Sequence, residues 1–173
     1  MKRSQSAGAL LLCLFAGMLS LTSCSKLPPE AKSAQEMRPV AAGASGSLPK
    51  LATPARAVME RIGEVWSPLV HQPVPVPAGA PVTFAGWAVD EARQTLAGGV
   101  DVLLDGTPYA AEYGIERADV ASYTKAPAYQ NSGFQLTLPA DKLKKGRHQV
   151  VVHVLTQDRK AFYESAPLAI EVK

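Results

Sequence analysis

The stretch from Phe84 to Tyr113 restricts this chain more than any other. It reads Phe84-Ala85-Gly86-Trp87-Ala88-Val89-Asp90, then a polar connection, then Gly99-Val100-Asp101-Val102-Leu103-Leu104-Asp105-Gly106, then Thr107-Pro108-Tyr109-Ala110-Ala111-Glu112-Tyr113. An apolar run, an alternating run, an Asp-Gly turn and a third run predict the start of an antiparallel sheet. Asp-Gly favours a tight turn with positive φ, which sets the register of Tyr109, Ala111 and Tyr113. From Val82 to Val89 both faces are apolar, which predicts a central strand with cover outside and Trp87 as core anchor.

The rest of the domain follows the same logic. Phe134, Leu136 and Leu138 mark another strand, Val150, Val152 and Val154 a strand apolar on both faces, and Leu168, Ile170 and Val172 a last one. Leu143, alone in a polar link, is expected to plug one end. Pro68, Pro73, Pro75, Pro77 and Pro81 remove ladder donors, so that segment is an edge strand or an extended crossing. Ala55 to Trp66 reads two ways. Val58, Met59, Ile62 and Val65 have near-helical spacing, whereas Val58, Glu60 and Ile62 alternate as a strand broken at Gly63; strand is preferred only on the family resemblance carried by the motifs from Gly86 to His148. About seven short strands with little helix predict an all-β fold, an antiparallel β-sandwich over residues 55–173.

Upstream the composition changes. Residues 1–23 have Lys2 and Arg3, an apolar run from Ala7 to Leu19, and then small residues, the three parts of a secretory signal. The run is shorter than the ~20 residues a spanning helix needs. Residues 24–54 are dominated by Ala, Pro, Gly and Ser, which predicts a flexible tether with a reach of roughly 30 Å. Cys13 would leave with the signal, so Cys24 becomes the one mature thiol and no intramolecular disulfide can form. Loss of Lys2 and Arg3 takes the basic residues from 18 to 16 against 15 acidic ones. A charge that small, with no aromatics near Lys142-Leu143-Lys144-Lys145-Gly146-Arg147, disfavours nucleic acid as a partner.

Two resemblances add to this reading. Leu21-Thr22-Ser23-Cys24 resembles the bacterial lipobox. That implies a diacylglycerol group on Cys24, attachment to a membrane through the N-terminal lipid, and a cell-envelope location. In enteric lipoproteins Ser25 would place the protein at the outer membrane ahead of the inner one, facing the periplasm or the cell surface. Further on, Gly86-Trp87-Ala88-Val89-Asp90, Val100-Asp101-Val102-Leu103-Leu104-Asp105-Gly106, Tyr113-Gly114, Arg117-Ala118-Asp119-Val120-Ala121, Ser132-Gly133-Phe134 and Gly146-Arg147-His148 occur in that order. This is similar to bacterial immunoglobulin-like domains of envelope proteins, which often carry Arg-Pro-Asp-Val where this chain has Ala118. The resemblance implies a sandwich and no settled activity.

Candidate chemistry is sparse. Tyr113, Arg117, Asp119, Tyr123 and Tyr129 could form a patch that stacks on and hydrogen-bonds a sugar or peptide. The structural reading is that Asp119 caps a short turn and Arg117 pairs with a carboxylate. His148 and His153, five apart on one strand, point to opposite faces and cannot share a metal; no metal or cofactor is expected. Asp90 and Asp105 read as turn residues and Asp101 as a solvent-facing one. Gly43-Ala44-Ser45-Gly46-Ser47 lacks the last Gly of a nucleophile elbow, and no phosphate loop follows a strand. The leading expectation is a non-enzymatic, lipid-anchored envelope protein whose domain binds an envelope protein or glycan. One alternative is a cryptic enzyme or glycan-processing accessory using Asp90, Arg117 and Asp119. Another is a structural subunit of an envelope assembly that joins through an edge strand.

Overall fold

The computed structural model describes residue 41 and residues 43–173; the expected signal segment, the expected lipid site at Cys24 and most of the expected tether lie outside the described residues. Two sheets pack face to face. The first contains β1 (Arg56–Ile62), β2 (Val65–Trp66), β4 (Val82–Asp90), β5 (Thr95–Leu96), β8 (Glu112–Ile115) and β9 (Gly133–Leu138). The second contains β3 (Val74–Val76), β6 (Gly99–Leu104), β7 (Thr107–Ala110), β10 (Gly146–Leu155), β11 (Phe162–Glu164) and β12 (Leu168–Val172). Among the described residues one short α-helix, α1 (Ala118–Thr124), lies between β8 and β9.

Strand order identifies the architecture. Take β1, β4, β6, β8, β9, β10 and β12 as the seven principal strands in chain order. One sheet then runs first–second–fifth–fourth and the other seventh–sixth–third, the immunoglobulin arrangement. The all-β sandwich expected from the alternation is therefore the fold. Its additions are five short strands, and one pair, β3 with β12, is parallel. That pairing arises because the proline-rich segment crosses from the edge of the first sheet to the edge of the second.

Between the sheets lies an apolar core in which Phe84, Phe134, Ile62 and Leu138 meet Val102, Val152, Val154 and Ile170. Leu143 is buried there, closing one end as its isolated apolar character suggested. The Ala55–Trp66 ambiguity resolves as a hairpin, β1 turning at Gly63 (φ +56°) into β2. Asp105 and Gly106 take φ of +49° and +82° in the two-residue β6–β7 turn, as their sequence requires.

Trp87 differs from expectation. It is buried, but on the outer face of the first sheet, where it packs with Val89, Val120 and Tyr129. The excursion between β8 and β9 folds back over that face and supplies the outside cover that the doubly apolar β4 needed. Trp87 thus holds the excursion down, while Phe84 and Phe134 fill the inter-sheet core.

The tether boundary also moves. Residues 43–51, placed in the flexible segment by their composition, lie along the outer face of the second sheet. Gly43 donates to the Pro108 carbonyl (2.9 Å), Leu51 to that of Phe162 (2.8 Å), and Phe162 to that of Pro49 (3.1 Å). Small residues let the chain come this close. A Cβ on Gly43 would stand 2.5 Å from Asp101 Cγ. Asp101 is consequently buried, accepting from the Ser45 N–H at 2.7 Å, where its position on an alternating strand suggested exposure.

At the opposite end of the same sheet His148 lies between two acceptors, Asp105 Oδ2 at 2.6 Å from Nδ1 and the Lys144 carbonyl at 2.7 Å from Nε2. Both contacts are satisfied only by the imidazolium, which donates from both nitrogens. The Asp105 carboxylate accordingly raises the His148 pKa above its ordinary value. The sign is that of a group charged more readily when folded. Its stabilisation is complete below about pH 6.5 and is lost as pH rises through the raised folded value. Urea unfolding of the native protein and of His148→Phe at several pH values should show a stability gap that closes toward alkaline pH. A gap independent of pH would exclude the imidazolium.

Candidate functional site

The β1–β2 hairpin, β4, β9 and the end of β8 leave part of the first sheet's outer face uncovered. There the strands carry small groups, Ala85, Gly86 and Gly133, which form the floor of a groove of about 300 Å³. One wall is Trp66, 66% exposed, with the Arg61 guanidinium 5.8 Å from its ring centroid, a cation–π arrangement. Ile115 and Arg117 make the other wall, and Gln135 projects between them.

Arg117 is held at both edges of its guanidinium. Its Nη1 and Nη2 donate to the two carboxylate oxygens of Glu60 at 2.6 and 2.9 Å. Its Nε and Nη2 donate to Asp119 at 2.8 and 2.6 Å. Glu60 reaches this position because the β1–β4 register shifts between Met59 and Arg61, a bulge that turns its side chain out of the alternation. Two-sided bidentate contact is the strongest form of this pairing. Donating to the carboxylates of Asp119 and Glu60 raises the Arg117 pKa above its ordinary value, and Arg117 in turn lowers the Asp119 carboxyl to about 2. Both charges are therefore fixed at neutral pH, whereas an acid–base catalyst needs a pKa near the working pH. So held, the two groups keep their charge and their orientation across the neutral range.

The five residues singled out from the sequence do not form one patch. Arg117 pairs with carboxylates, as the structural reading of that motif anticipated, but Asp119 does not cap the turn: it lies inside the first turn of α1, whose N-cap is Arg117 with no side-chain cap bond. The Tyr113 hydroxyl instead turns inward, accepting from the Ala97 N–H (3.0 Å) and donating to the Ala88 carbonyl (2.8 Å). Burial pushes its pKa up to about 12. Tyr129 is buried beside Trp87 in the outer cluster. Tyr123, 79% exposed, lines a separate and larger concavity of about 700 Å³ with Arg56, Glu91 and Lys125. The reason is strand parity and packing. Tyr113 pairs with the inward-facing Phe134, and the excursion needs an aromatic to cover Trp87.

Asp90 does not join Arg117 and Asp119 either. It sits at the far end of β4, three residues past Trp87, whose partner Gly133 lies against Arg117. Its own partners are Arg93, Gln157 and Tyr163. Among the described residues no three His, Cys, Asp or Glu side chains gather closely enough to hold a metal ion.

The groove residues that sequence reasoning passed over are Glu60, Arg61, Trp66 and Gln135. Trp66 carried a usable signal, an aromatic at a strand end next to a Gly63-Glu64 turn. Glu60 carried none, because its orientation depends on the bulge.

Comparison with known proteins adds little. No protein-family profile matches the chain, and no curated protein sequence matches it. Among solved structures, the endo-beta-1,4-mannanase from Thermotoga petrophila aligns with a TM-score of 0.39 at 10% identity, over 59% of this chain and 18% of that one. A likeness that weak carries no argument about activity.

Proposed function

We propose that this protein is a non-enzymatic binding module, held at the cell envelope by a lipid on Cys24, whose groove beside Trp66 docks an envelope protein or glycan. The observation that carries the reading is the wall of that groove. An exposed indole braced by Arg61 faces a guanidinium fixed by Glu60 and Asp119 over a floor of small residues. Rigid aromatic and arginine groups around a small concavity are what recognition surfaces use, since little side-chain freedom is lost on binding. The fixed charges of Arg117 and Asp119 favour binding over catalysis at this site. The lipobox resemblance at Leu21-Thr22-Ser23-Cys24 supports the location.

The test places a photo-crosslinking amino acid at position 66 of the full chain in cells, with a second chain labelled at the remote position 159. Position 66 should yield a discrete adduct that position 159 does not, and Arg117→Ala should abolish it. Cys24→Ala should move the protein from the membrane to the soluble fraction. Equal adducts from both positions would refute the groove, and unchanged fractionation would refute the anchor.

A further inference from the structure

The segment 43–51 is attached in an unusual way. Among its side chains only Ser45 is buried, with Leu48 and Leu51 half-buried, so it contributes little apolar surface. What holds it is polar: the main-chain bonds to Pro108 and Phe162, the Ser45 N–H on Asp101, and Lys50 Nζ on Glu164 Oε1 at 2.5 Å. Beneath it runs a row of ionisable groups in register across three strands, Asp101 on β6, His153 on β10 and Glu164 on β11.

That row is incompletely satisfied. His153 stacks on Phe162 (centroids 4.0 Å) and its Nε2 meets Glu164 Oε2 at 3.2 Å, but its buried Nδ1 has no hydrogen-bond partner. The buried Ser45 Oγ has none either. A segment with few apolar contacts lying over unsatisfied polar groups belongs to the low end of local stability, where opening does not require global unfolding.

We propose that residues 43–51 form a releasable strap, which detaches as a unit while the sandwich stays folded, and that protonation of His153 releases it. The groups facing His153 are Glu164, Asp101 and, from the strap itself, Lys50. Burial pushes the imidazole pKa down, against the pull of the two carboxylates. The closed form therefore holds His153 neutral, and opening returns it to water and to its ordinary value. Acid shifts the balance toward the open form. Release bares Asp101, His153 and Phe162. If Cys24 is the anchor proposed above, release also adds the extended length of residues 43–54, roughly 40 Å, to the domain's reach.

Hydrogen exchange on the full chain, read by mass spectrometry and corrected for intrinsic rates, tests this directly. Between about pH 7.5 and about pH 5.5, across the range where histidine titrates, protection over 43–51 should fall several-fold while β4 and β10 keep theirs. His153→Phe, which preserves the stack on Phe162, should abolish the pH step. Gly43→Val, whose side chain meets Asp101 and Pro108, should leave 43–51 exchanging freely at both pH values with β10 still protected. Strap protection that follows β10 at both pH values, or a pH step that survives His153→Phe, would overturn the proposal. None of these readouts depends on Cys24 or on the groove.

Discussion

Replacing Asp90 by Ala is expected to lower the unfolding free energy by about 3–5 kcal/mol, the cost of breaking a buried charged network from one side. Asp90 is fully buried at the end of β4. Its carboxylate accepts from Arg93 Nη1 at 2.9 Å, from the Gln157 N–H at 3.0 Å and from the Tyr163 hydroxyl at 3.0 Å. Gln157 lies just past β10 and Tyr163 within β11, both strands of the second sheet, so one side chain from the first sheet fastens the two together at this end. Burial by itself would raise the Asp90 pKa; the hydrogen bonds from Gln157, Arg93 and Tyr163 outweigh it and hold the carboxyl below the ordinary range. Stability from a depressed carboxyl is present above the unfolded value, near pH 4, and is lost as pH falls through the folded one. Arg93→Ala discriminates between contributions. Arg93 is well exposed, and removing it should cost far less than removing Asp90 if the Gln157 and Tyr163 bonds carry the effect. Urea unfolding of both variants measures the difference. Equal losses would mean that the ion pair, not the inter-sheet fastening, is what Asp90 supplies.

Gly86→Ala is the second large effect, about 3 kcal/mol from a single methyl group. The added Cβ would overlap the Val58 carbonyl oxygen of β1 and stand 3.1 Å from the Met59 Cα. Both obstacles are backbone, so β1 must move away from β4. That movement carries Glu60 with it and should loosen Arg117, weakening any adduct formed at the groove. Gly106→Ala is the control. Nothing lies within 4 Å of its Cβ, and only the φ of +82° is strained, so the loss should be about 1 kcal/mol. Similar thermal and urea transitions for the two variants would exclude close strand approach as the reason for Gly86.

Much of the sandwich was legible because period-two alternation and turn chemistry are local properties. Asp105-Gly106 dictated its own turn, the apolar faces of Val82–Val89 called for cover on both sides, and isolated Leu143 marked an end. The tether boundary was not legible. A run of Ala, Gly and Ser has the composition of a disordered chain, and only the close approach of Gly43 to Asp101 shows why small residues are needed there. The groove was hidden for a related reason. Glu60 leaves the alternation at a bulge, and Trp66 and Arg117, fifty-one residues apart, meet only through strand pairing. Among the tyrosines, residue type suggested recognition, while parity sent Tyr113 inward and the apolar outer face around Trp87 recruited Tyr129.

The prolines of β3 have one further effect. Successive residues in a strand turn their peptide groups to alternate sides. The Val76 carbonyl faces β12, where it accepts from the Lys173 N–H. Position 75, and position 77 just past the strand, therefore turn theirs to the open side, and both are proline. The free rim of the second sheet offers carbonyl acceptors but not one N–H donor across that span. A strand from a neighbouring molecule could find only half of a ladder there. Where copies of the chain meet, this rim resists the strand-by-strand growth that begins fibrils.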